Sequence, residues 1–127
     1  MGYTVDLQSD WLWCKSEEDA RKAQAIINGN KSFSYWLQVE VAQVGEQWYL
    51  RIDDFQGDHW HEDEARPIWL ALAPHMADGA SIEFQGEGLE RWRIRWYGGR
   101  CFEDRVEEVV WIQDHEVSTP KREESRT

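Results

Sequence analysis

The sequence predicts an α+β fold: a mostly antiparallel sheet with two helices on one face, ordered β-α-β-β-α-β-β-β, of ferredoxin-like flavour. Three observations carry this. Glu90 to Arg100 alternates, with Trp92, Ile94 and Trp96 on one side of an extended chain and Arg91, Arg93 and Arg95 on the other. Successive strand side chains point to opposite faces, so this is a strand with one apolar and one basic face. Glu46-Gln47-Trp48-Tyr49-Leu50-Arg51-Ile52 repeats the pattern upstream. Glu18-Asp19-Ala20-Arg21 and Asp63-Glu64-Ala65-Arg66 each open a helical stretch that runs on into such strands. This arrangement suggests an internal duplication of helix and hairpin over 16-52 and 61-96.

Taken in order, Tyr3 to Leu7 reads as a first strand, and Trp11 to Cys14 extends it or pairs nearby. Ser16 is a helix cap followed by Glu17, Glu18 and Asp19, acids that suit the positive end of a helix dipole. Ala20, Ala23, Ile26 and Ile27 form a narrow apolar stripe, and Asn28-Gly29-Asn30 ends it. Phe33 to Val44 alternates as the longest strand, and Gly45 turns it into the Trp48 strand. A second helix is expected from Glu62 or Asp63 to Ala73, with Pro67 tolerated in its first turn. Ser81 to Phe84 is a short strand, Gly86-Glu87-Gly88 a turn, and Gly98-Gly99 a hairpin turn. A last extended segment runs from Cys101 to Gln113, bent near Glu107-Glu108. Residues 1-116 then form one domain, and the polar stretch 117-127 reads as a disordered tail.

Composition narrows the function. There are 127 residues with nine Trp, and 25 acidic against 14 basic side chains give a net charge of −11. Such acidity speaks against direct nucleic-acid binding, which needs a basic footprint, and against an anionic membrane surface. It suits a protein kept soluble by its charge, the simpler reading, or one whose partner is basic. No apolar run is long enough for a membrane span, and a cytoplasmic location is expected. Cys14 and Cys101 match no metal motif and read as free, core-filling thiols.

The richest polar cluster is Asp53, Asp54, Asp58, His59, His61, Glu62, Asp63 and Glu64. His59 and His61 share one face of an extended segment, so with the carboxylates they could ligate a divalent metal. The competing reading is an acidic loop capping a helix. Three arginines on one strand face repel unless acids oppose them, and Glu103, Asp104, Glu107 and Glu83 are the expected partners. No nucleophile elbow, Cys signature or phosphate-cradling glycine loop is present.

Gly79-Ala80-Ser81-Ile82-Glu83-Phe84-Gln85-Gly86-Glu87-Gly88-Leu89-Glu90-Arg91-Trp92-Arg93 resembles a segment of uncharacterised small bacterial and phage proteins, which show Ile-Glu-Phe-x-Gly-Glu followed by Trp-Arg. The resemblance implies a bacterial or phage origin and no function.

The expectation is therefore a non-enzymatic acidic interaction protein, an inhibitor or an immunity or anti-defence type binder of a basic, nucleic-acid-binding partner protein, whose acidic surface mimics DNA. Asp53, Asp54, Asp58, Glu62, Asp63 and Glu64 would carry recognition, with Trp60 as an exposed anchor. No cofactor is expected on this reading. The alternatives are a small metal-dependent enzyme using His59 and His61, or a small-molecule-binding domain. Exposed sheet edges leave room for a homodimer.

Overall fold

Strand pairing divides the expected sheet in two. The computed structural model describes residues 4-9, 11-107 and 110-117. Among these, β1 (Val5–Leu7), β5 (Ser81–Gly86), β6 (Arg91–Tyr97), β7 (Arg100–Glu107) and β8 (Val110–Val117) make a five-stranded antiparallel sheet in the order β1-β5-β6-β7-β8. A three-stranded sheet orders β2 (Trp11–Cys14), β4 (Gln47–Phe55) and β3 (Leu37–Val44) as β2-β4-β3. The α+β class and antiparallel pairing are as the sequence indicates. What differs is that β1 and β2, neighbours in sequence, enter different sheets: Val5 pairs with Gly86, whereas Leu12 pairs with Leu50.

Helix α1 (Glu17–Asn28) packs on β3 and β4, helix α2 (Glu62–Leu72) reaches β7 and β8, and the helices touch each other. Ser16 caps α1 by accepting from the Asp19 backbone N–H at 3.1 Å, while its hydroxyl donates to the Asp19 carboxylate at 2.9 Å. This satisfies one of the helix's orphan donors. Buried Ala20, Ala23 and Ile27 bring the α1 backbone close to the sheet. At the end of α1, the Asn28 amide donates to the Val39 carbonyl at 2.8 Å and accepts from its N–H at 3.1 Å, tying the helix to a bulge in β3.

Four local expectations change, the first being that the segment from Cys101 to Gln113 is no single extended stretch but parts of two antiparallel strands, β7 and β8, paired from Glu107 with Val110 to Cys101 with Val117. Phe33–Tyr35 forms a 3₁₀ turn, and β3 begins only at Leu37. The turn lets both Phe33 and Trp36 enter the core, which strict alternation would forbid. Pro67 lies inside α2, beyond its first turn. Its ring sits on the exposed face, and burial of Ala65, Ile68, Trp69 and Leu72 offsets the missing backbone bond. Val117, read as the start of a tail, is a buried β8 residue opposite Cys101; 118-127 lie outside the described residues, as do Glu108 and Tyr3.

Opposed residues share a face. The inner face of the large sheet is therefore Ile82, Phe84, Trp92, Ile94 and Trp96, continued by Cys101 and Val117. Phe33, Trp36, Trp60, Trp69, Phe84, Trp92 and Trp96 form a connected chain of tilted, edge-on and stacked rings through the core. Gly57 closes the loop after β4 against β1, where a Cβ would meet the Val5 carbonyl oxygen at 1.8 Å. Gly98 and Gly99, at φ +62° and +77°, make the tight turn between β6 and β7.

Candidate functional site

The acidic stretch begins in β4 itself, with Asp53 and Asp54, and runs through the following loop into the first turn of α2, dividing its side chains between solvent and core. Asp53, Asp54, Asp58, Asp63 and Glu64 are exposed, as are His59 and His61. Trp60 is not the exposed anchor expected: it is 5% exposed and packs against Phe33, Trp36, Phe55, Trp69 and Phe84. Positive φ at His59 (59°) turns the chain so that Trp60 points inward. His61 caps α2 through its backbone and lies beside the Trp36 ring. Among the described residues, His59 and His61 belong to no metal-competent cluster.

Glu62 also turns inward. Its carboxylate accepts from the Trp60 indole at 2.9 Å and from the Trp69 indole at 2.7 Å. The Trp92 N–H faces the same carboxylate without reaching hydrogen-bond geometry. Burial pushes the Glu62 carboxyl upward, and the indole donors and Arg66 only partly oppose that. Glu62 thus anchors the aromatic core and does not offer a free surface charge.

The outer face of the large sheet is charged and internally matched. Asp104, 2% exposed, accepts from Arg93 at 2.7 Å and from Arg95 at 2.8 Å; burial alone would raise its carboxyl, and the two guanidiniums together outweigh that and hold it below the usual range. Arg91 lies 3.5 Å from Glu83. Asp104 and Glu83 are among the partners the sequence named; Glu103 instead faces the opposite side, opposite Ile94, and the side chain of Glu107 lies outside the described ones. Arg95 also covers the Phe102 ring at 4.7 Å.

The small sheet's outer face is different. Trp11 is 44% exposed and packs on Tyr49 at 4.2 Å and on Trp13 at 6.1 Å between ring centroids. Arg51, beside Trp11 on β4, pairs with Glu40 and Asp53, so the first residue of the acidic loop borders the aromatic cluster. Along β2 run two adjoining grooves that share Trp13 and Gly79. One, of about 430 Å³, is lined by Trp13, Trp48, Glu46 and Asp78; the other, of about 480 Å³, by Trp11, Trp13 and Val44. Glu46 and Asp78 are exposed at its polar end. Aromatic walls beside carboxylates can take a Lys or Arg side chain by cation–π contact and ion pairing. In the sequence Trp11 is marked only as part of a short strand, and its alternation with buried Leu12 is the one signal that it faces outward.

A second group escaped the sequence reading. Glu103, Asp114 and His115 converge on the inner face of the large sheet, their ligand atoms within 4.8 Å of one another. No helix among the described residues is long and apolar enough to cross a membrane. No protein-family model, curated protein or solved structure matches this chain.

Proposed function

We propose that this chain is a non-enzymatic acidic interaction module of the inhibitor or immunity type, binding a basic partner protein through the open aromatic face of its small sheet. The observation that carries the reading is the Trp11-Trp13-Tyr49 cluster, in which Trp11 is open to solvent over half-buried Trp13 and buried Tyr49, bordered by Glu46, Asp78, Glu40 and Asp53. Large rigid aromatics are the side chains most enriched where interfaces concentrate their energy. The net charge of −11 would steer a basic partner toward this face and repel nucleic acid. Asp53, Asp54, Asp58, Asp63 and Glu64 supply the long-range field, while Trp60 and Glu62 hold the loop from within.

The test is capture of partners from bacterial host extract on immobilised protein, with bound proteins eluted by a salt gradient. Retention of a basic protein that is released by salt and lost with Trp11→Ala supports the reading. A captured set indifferent to salt, to Trp11→Ala and to the pair Glu46→Lys and Asp78→Lys would overturn it.

A further inference from the structure

The register of β7 and β8 shifts between Glu103 and Asp104: Glu103 lies opposite His115, Asp104 opposite Gln113, and Asp114 is the extra residue. In a regular strand Asp114 and His115 would point to opposite faces. The bulge lets both approach Glu103, on the face where α2 begins.

Distances within this group are unusual for hydrogen-bonded partners. His115 Nε2 is 3.4 Å from Glu103 Oε1, and His115 Nδ1 is 3.5 Å from Asp114 Oδ2. The imidazole is 10% exposed, yet neither ring nitrogen makes a hydrogen bond among the described residues. Hydrogen bonds to nitrogen span about 2.7–3.2 Å, whereas ligands held about 2.0–2.2 Å from one zinc ion lie farther from each other. A buried imidazole without a hydrogen-bond partner is costly and calls for an occupant of the space it faces.

The charges agree. Glu103 and Asp114 sit with Glu62 nearby, three carboxylates, against Arg66 from α2 and Arg105, which is 3.5 Å from Asp114. Burial and the charge of Glu62 push the Glu103 carboxyl upward, a sign of negative charge crowded into a poorly solvated place. A dication relieves such crowding, and a single imidazole with two carboxylates is a donor set for zinc or manganese more than for magnesium or calcium.

We propose that Glu103, Asp114 and His115 bind one divalent transition-metal ion of the zinc or manganese type. Three protein ligands leave coordination positions open, the pattern of a site that also engages water or a further ligand. This site is separate from the aromatic face, so either can fail without the other.

The full chain, stripped with chelator, would be titrated with Zn²⁺, Mn²⁺ and, as a control, Mg²⁺, followed by calorimetry and melting temperature. One equivalent of Zn²⁺ or Mn²⁺ should bind and raise the melting temperature, with Mg²⁺ far weaker. His115→Ala should weaken binding by more than about tenfold, as loss of a ligand exceeds the effect of losing an outer partner. The double variant His59→Ala and His61→Ala should leave it unchanged. If His115→Ala does not fold, Asp114→Asn and the imidazole ¹⁵N shifts of His115 in the wild-type chain supply the same information. Absence of stoichiometric binding, unshifted His115 resonances on adding zinc, or loss of binding with the loop histidines would each overturn the proposal.

Discussion

The outer faces of the two sheets handle their side chains in opposite ways. On the five-stranded sheet, Arg91, Arg93 and Arg95 are answered within the sheet by Glu83 and Asp104. On the three-stranded sheet, Trp11 stacks on Trp13 and both pack at a tilt against Tyr49, with Trp11 left open. Charge on a strand face can be neutralised by the next strand at little cost. An exposed indole has no comparable local answer, because its apolar area is relieved only by something that covers it. A matched charged face therefore serves stability, and an open aromatic face serves contact.

That contrast breaks first at Asp104. Asp104→Ala would leave Arg93 and Arg95 two residues apart on one face with no shared acceptor at that position. Removing one partner of a buried ion pair costs about 3–5 kcal/mol, and the partial exposure of both guanidiniums places this site near 3 kcal/mol at most. Chemical denaturation would measure it; a loss under about 0.5 kcal/mol, the range of ordinary surface substitutions, would mean that the charged face is not structural.

Trp11→Ala should do the reverse. It removes a partly exposed ring, so stability should fall by about 1 kcal/mol or less, the scale of one aromatic pair. Partner affinity should fall by about 2 kcal/mol, roughly thirtyfold, as for an interface hot spot. A variant that melts early yet binds normally would make the aromatic face a stabilising cluster and nothing more.

Much of this was legible in the sequence for a physical reason: strand periodicity is local. The alternation of β6 fixed which side Trp92, Ile94 and Trp96 would take, and it named Asp104 and Glu83 as counter-charges. Ser16 with Asp19 announced the start of α1 in the same local way. The split into two sheets was not legible, because the pairing of Val5 with Gly86 and of Leu12 with Leu50 is decided far along the chain. Trp60 was misassigned because a loop has no period, and one residue at positive φ reverses a side chain. The Glu103-Asp114-His115 group was hidden by a bulge, an insertion in register that leaves the pattern of residue types unchanged.

A smaller effect sharpens the comparison on the helix side. Asp19 meets His75 at 2.8 Å, joining α1 to the 3₁₀ turn Ala73–His75 that follows α2. The His75 bond holds the Asp19 carboxyl below its ordinary value of 3.8, with help from Ser16. The folded state then binds this proton less tightly than the unfolded chain does. Stability from the contact is fully present above the unfolded pKa and is lost as pH falls through the lower folded one, below about pH 4. Asp19→Asn should lower stability at pH 7 by about 1 kcal/mol, a partly exposed pair and a cap together, with the difference shrinking at pH 3. A difference independent of pH would assign the loss to the cap alone.

The smallest signal is chemical and tests whether the open face loosens the core behind it. Cys14 lies at the end of β2, against the groove, and burial pushes its thiol up to about 12. The thiolate is the reactive species, so the raised pKa leaves Cys14 far less reactive at pH 8 than an ordinary cysteine. Cys101, 1% exposed in the matched sheet, has no groove beside it among those described. Native protein at pH 8 should therefore resist alkylation at both positions, and both should react on unfolding. Mass-resolved labelling would show the order. Cys14 reacting well before Cys101 would mean that β2 opens locally, so the aromatic face is mobile as well as exposed. Equal protection would mean that the face is held rigid on a closed core, presented to a partner with little ordering left to occur on binding.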